Sequence, residues 1–192
     1  NNEFIALDLQ QLTFDEGDKS EPEWSPDGSK LVYIAPGSNG KNQVWVVDLV
    51  TGTQTQLSDL EGTNLNPAWS PDGKQIAFAN FGRITDVFAV YLMDSDGANR
   101  QRLSLDFQET NPKWTPDMEW LLYVIHANNH NFFFWRNKVE SYATPEPFDP
   151  TTHFGRMGEV DDPAFNPDGS YLAYTRDNEG KKQIQIVDFV SR

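Results

Sequence analysis

Glu21, Asn66, Asn111 and Asp162 each stand immediately before a proline, and those prolines recur at intervals of 45, 45 and 51 residues. Two carboxylates and two amides spaced in this way would bring oxygen donors to equivalent places in a repeated unit. Such a set suits a hard cation, Ca²⁺ or Na⁺, with water completing its shell. Asn or Asp before proline is also ordinary turn chemistry, in which the side chain bonds nearby backbone.

Other chemistries are less well served. Asp27, Asp72, Asp117 and Asp168 recur in the same repeat. Glycoside hydrolysis needs two carboxyls within ~10 Å, whereas one acid per repeat spreads them apart, so they read as turn residues. Asp48, Asp94 and Asp188 read the same way. His126, His130 and His153, with Glu159 or Asp161, would make a metal site only if they converge. No Gly-x-Ser-x-Gly occurs, and Gly37-Ser38-Asn39-Gly40 lacks its spacing, so the chain carries no nucleophile elbow.

What positions these residues is a motif written four times: Glu21-Pro-Glu-Trp-Ser-Pro-Asp-Gly28, Asn66-Pro-Ala-Trp-Ser-Pro-Asp-Gly73, Asn111-Pro-Lys-Trp-Thr-Pro-Asp-Met118 and Asp162-Pro-Ala-Phe-Asn-Pro-Asp-Gly169. A period in this range marks an array of one supersecondary unit. In the first repeat the proline is expected to open a strand, and Ser25-Pro-Asp-Gly28 to form a tight turn. Strands follow at 30–34, 43–48 and 53–58. Four short antiparallel strands per repeat is the plan of a propeller blade. Down the columns, Leu31, Ile76, Leu121 and Leu172 align, as do Tyr33, Phe78, Tyr123 and Tyr174, and Trp24, Trp69, Trp114 and Phe165. The first two columns lie two residues apart on one strand and so share a sheet face. All three read as core between neighbouring blades.

The third repeat departs from the pattern. Met118 replaces the turn glycine, and the later half is longer, with Phe132-Phe-Phe-Trp135, Tyr142, and Phe148 among three prolines. Phe133, Trp135, Tyr142 and Phe148 are the candidate binding surface, since recognition residues favour loops on a rigid scaffold. Exposed aromatics suit a protein partner or carbohydrate stacking.

Twenty-nine acidic residues against 15 basic ones give a net charge of −14. That field disfavours nucleic acid and anionic membrane and favours cations or a basic protein face. Cysteine is absent, so there are no disulfides or thiolate metal sites. No apolar run approaches the ~20 residues of a membrane helix. The start at Asn1 shows no signal peptide and suggests a mature or trimmed chain.

A Pro-x-aromatic-Ser-Pro-Asp-Gly turn, an Ile-Ala-Phe-like strand, a strand ending in Asp and a closing Leu-Thr or Leu-Ser together resemble the TolB-like repeat of the WD-repeat-like β-propellers. Met118, Phe165 and the 126–160 segment depart from it. The resemblance implies a protein-binding scaffold of the periplasmic TolB kind, the propeller of a prolyl-oligopeptidase-type serine peptidase, or a metal-dependent polysaccharide lyase.

The expectation is therefore one all-β propeller domain over residues 1–192, with repeats at about 14–58, 59–104, 105–150 and 151–192. Gln10-Gln-Leu-Thr13 resembles the ends of the first two repeats and is expected to dock beside the strand ending at Asp188, closing four blades of four strands. Ile5-Ala-Leu-Asp8 also resembles the end of a third strand, so an excerpt of a larger propeller, or a ring completed by oligomerisation, stays open. The expected role is non-enzymatic protein or glycan recognition by a monomer, periplasmic or extracellular, with Ca²⁺ or Na⁺ as the candidate ion.

Overall fold

A computed structural model describes residues 10–82, 87–103, 108–127, 130–137, 160–178 and 180–188. Every element in them is a strand, and every strand pairing is antiparallel. Sheet 1 runs β1 (Ser20–Trp24), β2 (Lys30–Pro36), β3 (Asn42–Asp48), β4 (Gln54–Gln56). Sheet 2 runs β5 (Thr63–Trp69), β6 (Gln75–Phe81), β7 (Phe88–Asp94), β8 (Gln101–Arg102). Sheet 3 holds β9 (Gln108–Trp114), β10 (Trp120–Ala127) and β11 (His130–Asn137), and sheet 4 holds β12 (Val160–Phe165), β13 (Tyr171–Asn178) and β14 (Lys181–Asp188).

The Ser-Pro-Asp-Gly turns form as their chemistry dictates. Gly28 N–H donates to the Ser25 carbonyl at 2.9 Å, and glycine takes the left-handed φ of 71° that the turn requires. Ser25 Oγ donates to Asp27 Oδ1 at 2.7 Å and accepts from Lys30 N–H at 2.9 Å, tying the turn to the next strand. Ser70 and Asp72 repeat this, as do Thr115 and Asp117, and Asn166 and Asp168. Met118 holds φ 63° where the other repeats have glycine.

The repeat prolines lie within strands rather than opening them. Each first strand shifts register there, between Ser20 and Glu23, between Leu65 and Ala68, opposite Leu122 and Val124, and between Asp161 and Ala164. The bulge leaves one ladder position unpaired, so the missing proline N–H is not needed. Glu21, Asn66, Asn111 and Asp162 occupy it with φ of 50–54°. Asn and Asp are among the few side chains that tolerate this region.

Alternation along the strands gives each sheet a leading and a trailing face. Val32, Ile34, Val44 and Val46 on the leading face of sheet 1 bury against Trp69, Ile76, Phe78 and Met93 on the trailing face of sheet 2. Ala77, Val90 and Leu92 then meet Trp114, Leu121 and Tyr123 of sheet 3. Leu122 and Val124 in turn meet Leu172 and Tyr174 of sheet 4. The aligned columns of sheets 2, 3 and 4 are thus inter-sheet core, whereas Leu31 and Tyr33 pack only with residues of their own sheet 1, and on the same face Trp24 is 61% exposed, against 6% for Trp69 and 7% for Trp114. It has no preceding sheet to pack on among the described residues.

A buried polar cluster stitches the connection from sheet 1 to sheet 2. Gln43 Oε1 accepts from Ser58 Oγ and Asn64 Nδ2, both at 2.8 Å, and Asn64 Oδ1 accepts from Asn80 Nδ2 at 2.7 Å. Each member is almost fully enclosed, so these bonds are needed to offset desolvation.

The expected closure is not found. β14 pairs only with β13 among the described strands, and Gln10–Thr13 forms no strand beside Asp188. Leu12 and Thr13 instead line, with Leu31, Tyr33 and Val47, a hollow of about 180 Å³ on the trailing face of sheet 1. The fourth strands are also shorter than 53–58 and 100–104, and the corresponding part of the third repeat lies outside the described residues.

Candidate functional site

The inner strands β1, β5, β9 and β12 lie side by side in sequence order, each in contact with the next. The pre-proline residues therefore gather along one edge of the stack, as their period implies. The oxygens of Glu21 and Asn66 turn toward the neighbouring strand. A Glu21 Oε2 accepts from the Asn66 N–H, and Asn66 Oδ1 accepts from the Asn111 N–H at 3.3 Å. Asn111 Nδ2 donates at 2.7 Å to Asp161 Oδ1, which also accepts from the Asp162 N–H at 3.0 Å. At Asn66 and Asn111 the bulge frees a backbone N–H, and the previous sheet's side chain takes it up. Among the described residues no three His, Asp or Glu side chains are grouped to hold a metal ion.

One step further along each motif, Glu23 joins three sheets. Its Oε1 accepts from the Trp69 N–H at 3.0 Å, and its Oε2 accepts from Lys113 Nζ at 3.2 Å. The sequence reading missed this pair, although the signal was there: Glu23 and Lys113 occupy the same position of the first and third motifs. Glu21, Glu23, Asp161 and Asp162 set four solvent-accessible carboxylates, beside the fully buried Glu109, against the single ammonium of Lys113 on these inner strands. Such a rim suits a cationic or hydroxyl-bearing ligand.

Between the first two motif turns lies a groove of about 410 Å³, lined by Asp27, Lys30, Trp69 and Asp72 among others. The Ser25 hydroxyl, with the N–H and hydroxyl of Ser29, holds the Asp27 carboxyl down at about 2. Asp72 is lowered too, chiefly by the Ser70 hydroxyl. Both are carboxylates already committed to their turns, without the raised pKa of a general acid. The buried Trp69 Nε1 finds no hydrogen-bond partner among the described residues.

The remaining candidates are placed unevenly. His126 Nε2 lies 2.7 Å from Thr110 Oγ1, and His130 opens β11 opposite Ala127 in the hairpin. His153 and Glu159 lie outside the described residues. Phe133 and Trp135 fall on β11, paired through the backbone with Val124 and Leu122. Tyr142 and Phe148 lie outside the described residues.

The sequence that forms these antiparallel units is matched by a family model described as the TolB beta propeller domain, over residues 8–137. The chain belongs to the TolB β-propeller domain family. Among solved structures, TolB from Acinetobacter baumannii superposes with a TM-score of 0.72 at 19% identity, covering 92% of this chain and 42% of that one. A structure assigned to TolB from Agrobacterium tumefaciens gives 0.70 at 20% identity, covering 86% and 59%. A puromycin-hydrolysing peptidase from Mycobacterium tuberculosis gives 0.65 at 16% identity, covering 88% of this chain and 29% of the peptidase. At these identities the likeness shows the fold, and this TolB-family chain spans only part of each structure. No curated protein matches its sequence.

Proposed function

We propose that this TolB-family chain is a binding scaffold whose inner-strand rim recognises a protein partner presenting basic side chains, in the periplasm or outside the cell. The observation that carries this reading is the rim itself. Glu21, Glu23 and Asp161 are fixed by cross-sheet hydrogen bonds, with Asp162 beside them and one lysine among them. Pre-ordered carboxylates lose little entropy on binding, and an overall charge of −14 would steer a basic partner toward them. Hydroxyl-rich glycan is the other ligand class that such a rim, together with the groove beside Trp69, would accept.

An oligolysine peptide titrated by calorimetry tests the reading. Binding should weaken steeply with salt and fall at least tenfold in the Glu23→Gln/Asp161→Asn double variant. Equal affinity of the variant and the parent chain would refute it. A second reading, a propeller attached to a catalytic domain, is favoured by the likeness to the peptidase, of which this chain covers 29%. Sequencing the gene beyond these residues decides that point: a hydrolase domain in the same frame supports it, and its absence refutes it.

A further inference from the structure

Glu23 and Lys113 fill the third position of the first and third motifs, where the second and fourth carry Ala68 and Ala164. The alanine motifs form the same bulge and the same turn hydrogen bond. The fold therefore does not require a charge at this position, and the opposite charges of Glu23 and Lys113 call for another reason.

The Glu23 carboxylate is divided between two kinds of donor. Oε1 accepts the Trp69 N–H at 3.0 Å, a backbone donor held in sheet 2. Among the described residues Oε2 accepts only from Lys113 Nζ, at 3.2 Å. The backbone N–H orients the carboxylate whether or not the lysine is there. Lys113 is held less firmly. An ammonium has three donors, Glu23 is its one hydrogen-bond partner among the described residues, and its side chain is 37% exposed. An ion pair this exposed contributes little and opens readily to a competing cation.

The free oxygen also selects the kind of cation. A guanidinium pairs best through two parallel bonds to both carboxylate oxygens, and Oε1 is already engaged. An ammonium is a point charge that needs only one oxygen. Two neighbours have the same form. Glu21 gives Oε2 to the Asn66 N–H, and Asp161 gives Oδ1 to Asn111 Nδ2 and the Asp162 N–H. Each is anchored through one oxygen, and the described residues supply no donor to the other. We propose that, on the reading of this rim as a site for basic side chains, Glu23 Oε2 is the subsite for a lysine ammonium of the partner, and Lys113 is a tethered competitor that this lysine displaces. A tethered ammonium competes at high effective concentration. Lys113 therefore lowers the affinity for basic ligands, most of all for those whose charge is a primary ammonium.

Calorimetric titration of the full chain with oligolysine and with oligoarginine of equal length tests this. Lys113→Met keeps an aliphatic stem and removes the ammonium. It should bind oligolysine about fivefold more tightly than the parent chain does, with a smaller gain for oligoarginine. Lys182→Met makes the same change of net charge on the exposed strand β14 and should shift either affinity by less than about twofold. Lys113→Met/Glu23→Gln should bind no more tightly than the parent chain. In the parent chain itself, oligolysine should move the Trp69 amide resonance, which reports on Glu23 without any substitution. Equal gains from Lys113→Met and Lys182→Met, a gain that survives Glu23→Gln, an unmoved Trp69 amide, or equal gains for the two peptides would each overturn the proposal. If neither the parent chain nor Lys113→Met binds oligolysine, the basic-partner reading fails and the subsite with it. Binding by Lys113→Met alone supports both.

Discussion

Lys113 Nζ lies 3.2 Å from Glu23 Oε2, although the two residues are 90 positions apart and belong to sheets separated by a third. A lysine side chain spans that gap only if the inner strands converge on a common line, so the pair reports the curvature of the stack. Both side chains are about one-third exposed, at 37% and 33%. Partial exposure keeps their net contribution small, about 0.5 kcal/mol. A double-mutant cycle with Glu23→Gln and Lys113→Met should give a coupling of that size, shrinking in high salt. A coupling unchanged by salt would mean that packing, not charge, links the two positions.

Met118 is the place to gain stability. It adopts a left-handed conformation that costs a side chain about 1–2 kcal/mol, part of which glycine returns as extra freedom of the unfolded chain. Met118→Gly should stabilise by about 0.5 kcal/mol in urea unfolding, whereas Gly73→Met should destabilise.

Asn66 does two jobs at once, holding a left-handed φ of 51° and accepting the Asn111 N–H. Asn66→Ala loses both and should cost about 2 kcal/mol. Asn66→Asp keeps both and should cost far less. Similar losses for the two variants would show that the acceptor is not what the position needs.

Acid should loosen the motif turns. Asp27 is lowered from 3.8 to about 2, and Asp72 and Asp168 are lowered as well, in each case chiefly by a side-chain hydrogen bond from the turn's own Ser70 or Ser170, or Ser25 for Asp27. A carboxyl with a depressed folded pKa stabilises above its unfolded value and loses that contribution as pH falls through the folded one. Unfolding midpoints should therefore decline between about pH 4 and pH 2, with a shallower slope in Asp27→Asn. An unaltered slope in that variant would place the acid sensitivity elsewhere.

Chelation bears on the oxygen set at the inner strands. Glu21 and Asn66 already accept neighbouring backbone N–H groups. EDTA treatment should leave the melting temperature unchanged, and calcium added back should not raise it. A rise on calcium addition would establish the axial cation instead, since an ion held only by the folded state raises the melting point.

The repeat by itself determined the strands, the turns and which columns are core. Ser-Pro-Asp-Gly and alternating apolar residues act over a few neighbours, and their physics is local. The buried Ile76, Phe78, Leu121 and Tyr123 were legible for that reason. Even the left-handed bulge had a trace in the Asn and Asp before proline. Only the tertiary structure decided what depends on groups brought together from different repeats. It turned the Glu21 and Asn66 oxygens to the next strand's N–H, and it joined Glu23 to Lys113 across an intervening sheet. It also buried Trp69 and Trp114 while leaving Trp24 exposed. Identical motif positions differ there because burial depends on which sheet stands next to them, and the motif does not contain its neighbour.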